Sequence, residues 1–181
     1  MVSRQGKMNL NAVRGAAESV AAQYGKDRLP INLNAIASTL GLRILHSELP
    51  EDVSGLLVTG PGGSFIVVQE SDHPNRQRFT LGHEIGHHFL KHQFAPGEHV
   101  HVDRGHYVSQ RSPRSSTGLD AKEIEANQFA AALLMPSRLV RKEVLKLGTA
   151  HLLDHHVSSL AETFGVSEQA MTIRLTSLGV L

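Results

Sequence analysis

Phe79-Thr80-Leu81-Gly82-His83-Glu84-Ile85-Gly86-His87-His88 contains the pattern His-Glu-x-x-His. Residues four apart on a helix share one face, so the imidazoles of His83 and His87 can reach one ion. Neutral imidazole is a good ligand for Zn²⁺, and a carboxylate beside the pair, here Glu84, can take the proton of an attacking water. The motif falls within residues 75–91, where Phe79, Leu81, Ile85, Phe89 and Leu90 suggest a long helix. Pro74 stands before it, at a position where the first helical turn tolerates proline. Gly82 and Gly86 leave room for a close neighbour. With 12 histidines in 181 residues, the bare pattern needs this support from its setting.

A catalytic zinc site commonly takes three protein ligands and keeps one position for water. The candidates for the third are Glu123 and Glu125, in a second predicted helix over residues 120–135 that ends at Pro136. Glu123 shares a stripe with Ala126, Asn127, Ala130 and Leu134, and the alanines would let this helix pack tightly on the one bearing His83 and His87. That favours Glu123. Asp120-Ala121-Lys122-Glu123 also has the form of a capping box, in which Glu123 would reach back to the Asp120 N–H. The third ligand would then be Glu125 or one of His99, His101 and His106, which read first as exposed loop residues.

Working outward, residues 9–24 carry Leu10, Val13, Ala17, Val20 and Ala21 at helical spacing, with Gly25 as a stop. Residues 32–40 repeat the pattern behind Asn32 as N-cap, and residues 42–46 read as a strand. Residues 53–59 and 64–69 are β-rich and flank Gly60-Pro61-Gly62-Gly63, which predicts a hairpin with a four-residue loop. Residues 92–118 show no sustained period and read as one long loop, a candidate lid. A short helix over 137–147 and two or three helices over 151–181, broken at Gly165-Val166, complete the chain.

The hydrophobic fraction of 40% and the charged fraction of 19% are ordinary for a globular protein, and a net charge of +1 gives no footprint for nucleic acid or a membrane surface. The chain has no cysteine, which excludes disulfides, thiolate metal sites and a cysteine nucleophile. Residues 1–20 are interrupted by Asn9, Asn11, Arg14 and Glu18 and lack the unbroken apolar run of a signal peptide. No other run approaches a membrane span, so the expected location is the cytoplasm.

Residues 160–171 read as a helix-turn-helix, with Ala161, a turn at Gly165, and Ser167 capping a second helix. As a DNA reader it would present Gln169, Thr172 and Arg174. Yet residues 158–181 carry only Glu162, Glu168 and Arg174, a net of −1, which argues against tight independent DNA binding. A module that packs on the catalytic core or docks a protein partner is the favoured reading.

Three segments together resemble the ImmA/IrrE family of metallopeptidases over nearly the whole length. They are Val53-Ser54-Gly55-Leu56, Arg76-Gln77-Arg78-Phe79-Thr80 running into the His-Glu-x-x-His, and Glu123-Ile124-Glu125-Ala126-Asn127-Gln128-Phe129-Ala130-Ala131 leading to Leu133-Leu134-Met135-Pro136. The resemblance implies His83 and His87 as metal ligands, Glu84 as general base and an acidic residue of 123–127 as third ligand. It is similar to the gluzincin arrangement, in which the ligand Glu is followed by Ala three residues on and by Asp or Asn four on, and this again selects Glu123. Gly82 departs from the Ala usual in the family. The resemblance further implies cleavage of a helix-turn-helix, XRE-type repressor that frees genes of stress response, DNA repair or mobile elements, and a helical tail.

The expectation is therefore an α+β, zincin-like fold with a small, mostly antiparallel sheet and the motif-bearing helix in a catalytic domain over 1–148. A helix-turn-helix-like module over 149–181 follows. The expected activity is that of a zinc metallopeptidase, Zn²⁺ being the expected ion and Mn²⁺ its alternative. Tyr107 or a loop histidine would stabilise the oxyanion. A substrate strand would add to a sheet edge near 53–59 or 64–69. The competing reading is a non-enzymatic transcriptional regulator, or an antitoxin-like binding protein, with a structural metal.

Overall fold

Asn9 and Asn32 each begin a helix by turning a side-chain oxygen onto a backbone N–H of the first turn, Asn9 onto that of Asn11 at 2.9 Å and Asn32 onto that of Ala35 at 3.0 Å. The helices they open are α1 (Leu10–Tyr24) and α2 (Leu33–Thr39). The computed structural model describes residues 9–25, 28–92, 100–103, 118–149 and 151–181. Three strands and a helix follow α2: β1 (Leu42–Ser47), β2 (Gly55–Gly60), β3 (Gly63–Gln69) and α3 (Pro74–Phe89). Next come β4 (Val100–Asp103), α4 (Gly118–Leu134), α5 (Ser137–Lys146), α6 (Asp154–Phe164) and α7 (Glu168–Ser177).

The strands form a mixed sheet in the order β1-β3-β2-β4. β2 pairs antiparallel with both β3 and β4, while β1 lies parallel to β3 through the connection that carries β2. The fold is thus α+β with a small, mostly antiparallel sheet. Gly60 pairs with Gly63, so the hairpin loop is Pro61-Gly62 alone, two residues rather than four. Gly63 makes this turn possible with φ +110, a value that a side chain resists. The strand expected from residue 53 begins at Gly55.

Two further expectations change with the sheet. Residues 100–103, read as loop, form β4, and β2 and β3 are its central strands. The edges are β1 and β4 among the described residues, so a peptide cannot add to β2 or β3.

The sheet lies on one side of α3 and α4 lies on the other, with α1 beyond α4. Ala126 and Ala130 of α4 are fully buried, as their place on the stripe predicts. Gly86 lets the two helices close up, since a Cβ there would come within 3.2 Å of Phe129 and 3.3 Å of the Ala126 backbone. Phe129, wholly buried, stacks at 5.3 Å from Phe89 and fills the far end of this interface. Burial of such a ring stabilises the domain by about 1.5–3 kcal/mol.

The last two helices join the same apolar core through Leu160, Ala161, Phe164, Val166, Met171 and Leu175. Gly165 ends α6 in the left-handed conformation (φ 64), and Ser167 caps α7 by accepting from Ala170 N. Polar ties hold the turn to α3: Asn75 donates to the Val166 carbonyl at 2.9 Å and Arg78 to the Gly165 carbonyl at 3.1 Å. Arg174, expected as a DNA-reading residue, is 5% exposed and faces inward. It donates to the Met135 carbonyl and to Glu18, each at 2.9 Å, and is not available to bases. Gln169 and Thr172 are exposed. Among the described residues no helix is long and apolar enough to cross a membrane.

Candidate functional site

His83 and His87 project from the buried face of α3, one turn apart, and their Nε2 atoms come within 2.9 Å of each other. From the facing helix Glu123 brings one carboxylate oxygen to each ring, Oε2 to His83 Nε2 at 3.2 Å and Oε1 to His87 Nε2 at 3.4 Å. The packing of α3 on α4, which small residues permit, is what makes these three side chains meet. Glu125 points elsewhere, to His92 Nε2 at 3.1 Å.

The opposite nitrogens of the two imidazoles are engaged as well. His83 Nδ1 lies 2.9 Å from Asn127 Oδ1, and an amide oxygen only accepts, so the ring carries its proton on Nδ1. Its Nε2 lone pair then faces His87 and the Glu123 carboxylate. A tetrahedral zinc site with bonds of about 2.0–2.1 Å has ligand atoms about 3.3 Å apart, and the three separations here straddle that value. Lone pairs and an acidic group converging on one point suit a cation.

Glu84 is fully buried, and neither of its carboxylate oxygens has a hydrogen-bond partner among the described residues. Burial pushes its carboxyl well above the usual range, and the negative charges of Asp103 and Glu123 add to the rise. Burial also opposes ionisation of Glu123, but its contacts with the imidazoles of His83 and His87 outweigh it and hold that carboxyl far below the usual range. Desolvation lowers His87 and His101 to about 4, so both rings are neutral at pH 7. Neutral imidazole is the form that binds metal.

His101 corrects the expectation of an exposed loop residue. It sits on β4 opposite Leu57, its side chain is 10% exposed, and its ring centroid lies 4.2 Å from that of His87. Asp103, two residues on, is buried on the same side and approaches His83 and Glu84. The alternation of Val100, His101, Val102 and Asp103 was the available signal for this strand. His92, overlooked at the end of α3, stands 2.9 Å from His87. Tyr107, His99 and His106 lie outside the described residues.

The family model for the IrrE N-terminal-like domain, Peptidase_M78, matches residues 37–176. A solved structure, a Mycobacterium tuberculosis transcriptional regulator, aligns with a TM-score of 0.58 at 18% identity, over 92% of this chain and 46% of that one. The chain thus spans about half the length of that regulator, and the likeness speaks for the fold. No curated protein matches the sequence.

Proposed function

Since the chain belongs to the IrrE N-terminal-like family of peptidases, Peptidase_M78, we propose that it is a zinc-dependent endopeptidase of the gluzincin kind. The observation that carries this reading is the convergence of His83 Nε2, His87 Nε2 and the Glu123 carboxylate on one point beside the buried Glu84. His83, His87 and Glu123 hold the ion in this reading, Zn²⁺ first and Mn²⁺ as the alternative. When bound, the ion polarises the scissile carbonyl and acidifies water.

The chain's own residues do the rest. Glu84 accepts the proton of the attacking water and passes it to the leaving amine, a task suited to a carboxyl whose environment lifts its affinity for protons. Asn127 holds the His83 ring so that Nε2 faces the ion. The peptide is held straight along the outer edge of β4, the edge strand that brings His101 to the site. Residues 1–148 form the catalytic unit and 149–181 a helix-turn-helix-like module that docks a protein partner.

The substrate we propose is a helix-turn-helix repressor in the cytoplasm, whose cleavage releases stress-response or mobile-element genes. Incubation of the Zn²⁺-loaded protein with the helix-turn-helix repressor encoded beside it tests this. Wild type cuts the repressor, and Glu84→Gln binds the metal without cutting. A stable complex with no cleavage by either protein would replace the peptidase with a binding regulator.

A further inference from the structure

We propose that His101 is a fourth protein ligand of the same ion, so that the site rests closed and opens only when an incoming peptide displaces this histidine. This rests on the metallopeptidase reading and concerns how that site is regulated. His101 Nε2 lies 3.8 Å from Glu123 Oε1 and 3.9 Å from Glu84 Oε1. The ligand atoms of His83, His87, His101 and Glu123 all lie within 4.8 Å of one another. His101 Nε2 thus stands about half an ångström beyond the ~3.3 Å spacing of a tetrahedral set from its Glu123 neighbour.

A donor that acts only on the substrate's oxygen stands a further atom out, beyond the ligand shell. His101 Nε2 instead lies among the ligand atoms and on the side of Glu84, where a catalytic site keeps its place for water. Three His and one Glu complete a tetrahedron, and a complete tetrahedron is the pattern of an inert, structural site. Catalysis from such a site requires one ligand to leave.

The fold makes His101 the ligand that leaves. His83 and His87 are carried by α3, which is packed between the sheet and α4, and Glu123 by α4 itself. His101 is carried by a four-residue edge strand that pairs only with β2 among the described residues. Its neighbours Val100 and Val102 are 43% and 38% exposed. Among the described residues one neighbouring strand holds β4 in place, so its displacement costs less than that of either helix. A peptide adding to the edge of β4 that is unpaired among the described residues meets this strand first.

The test uses the full chain with histidine labelled in the ring nitrogens and Zn²⁺ as the probe. One equivalent of Zn²⁺ moves the His101 Nε2 resonance, together with those of His83 and His87, into the metal-bound range. Competition with a chelator shows His101→Ala and His101→Gln binding Zn²⁺ more than 100-fold more weakly, beyond the loss expected for a residue that only orients a ligand. At saturating Zn²⁺ His101→Ala cuts the repressor several-fold faster than wild type. A His101 resonance unmoved by Zn²⁺, or an affinity within 100-fold of wild type, overturns the fourth ligand while Glu84-dependent cleavage leaves the peptidase standing. Slower cleavage by His101→Ala at unchanged affinity also overturns it and makes His101 an oxyanion donor. Failure of the wild type to bind Zn²⁺ through His83 and His87 removes both readings.

Discussion

His92 and His87 meet Nδ1 to Nδ1 at 2.9 Å, and the far nitrogen of His92 rests 3.1 Å from Glu125. A carboxylate only accepts, so His92 carries its proton on Nε2 and offers the Nδ1 lone pair to the N–H of His87. The Nε2 of His87 is thereby left as a lone pair directed at Glu123 and His83. Glu125, read as the rival third ligand, thus orients His87 through His92. This chain is expected to stiffen and strengthen the metal site. Replacement of His92 by Ala, or Glu125 by Gln, is expected to weaken Zn²⁺ binding about 10–100-fold in chelator competition. Cleavage should recover at saturating metal, which loss of His87 itself would not allow.

The two glycines of the motif should respond in opposite ways. A Cβ at Gly82 would sit 3.5 Å from that of Ala130, an ordinary contact. Gly82→Ala is therefore expected to stabilise the domain by up to about 1 kcal/mol through helix propensity. A Cβ at Gly86 would press on Phe129 and on the Ala126 backbone at 3.2 and 3.3 Å. Gly86→Ala is expected to cost about 1–3 kcal/mol by overpacking. Urea unfolding of both variants checks the contrast.

Glu84 should destabilise the metal-free protein at neutral pH. Its carboxyl is buried with both oxygens lacking a hydrogen-bond partner among the described residues, and its folded-state pKa is raised. Below the ordinary carboxyl range the group is protonated in both folded and unfolded chains and has no effect. As pH rises above about 4.3, the unfolded chain ionises first and folding loses stability until the folded pKa is passed. In metal-free protein Glu84→Gln is therefore expected to melt at least about 2 °C higher at pH 7. The gain should vanish near pH 3, and thermal unfolding across that range measures it.

Arg174 is expected to be structural. Its guanidinium joins α7 to the Met135 carbonyl and to Glu18 of α1, while Glu18 also accepts from Ser137 N and Oγ at the start of α5. Removing the cation leaves a half-buried carboxylate and a buried carbonyl short of a donor. Arg174→Ala should cost about 2–4 kcal/mol, somewhat less than breaking a fully buried pair because Glu18 is partly open to water. Chemical denaturation checks the cost. Substitution of the exposed Gln169 or Thr172 should leave stability within about 0.5 kcal/mol.

What could be read in advance followed the strength of local signals. Helices α1 to α4 announced themselves through periodicity, asparagine caps and Pro74. The family was legible because its segments recur in order along the chain. β4 was hidden because four residues, Val100 to Asp103, make a short alternation inside a stretch dense in Pro, Gly, Ser and His. With it were hidden the placement of His101 and the edge of the sheet among the described residues. The hairpin loop was read too long because Gly60 and Gly63 look like turn residues, yet both pair in the ladder. Arg174 misled because an arginine in a recognition-like helix has the same letter whether it faces a groove or a carboxylate 156 positions away.

β4 holds a last consequence. Val100 and Val102 face outward while His101 and Asp103 face the cluster of His83, Glu84, His87 and Glu123. Side chains alternate along a strand, so a slip of one residue against β2 would turn both polar groups away and bring valine to that cluster. Any ion held through His101 is therefore also a fastener for the strand, and its affinity is the energy that selects one alignment over the next. Metal loading and edge-strand registration become a single equilibrium, in which a peptide competing for the edge and a chelator competing for the ion push the same way.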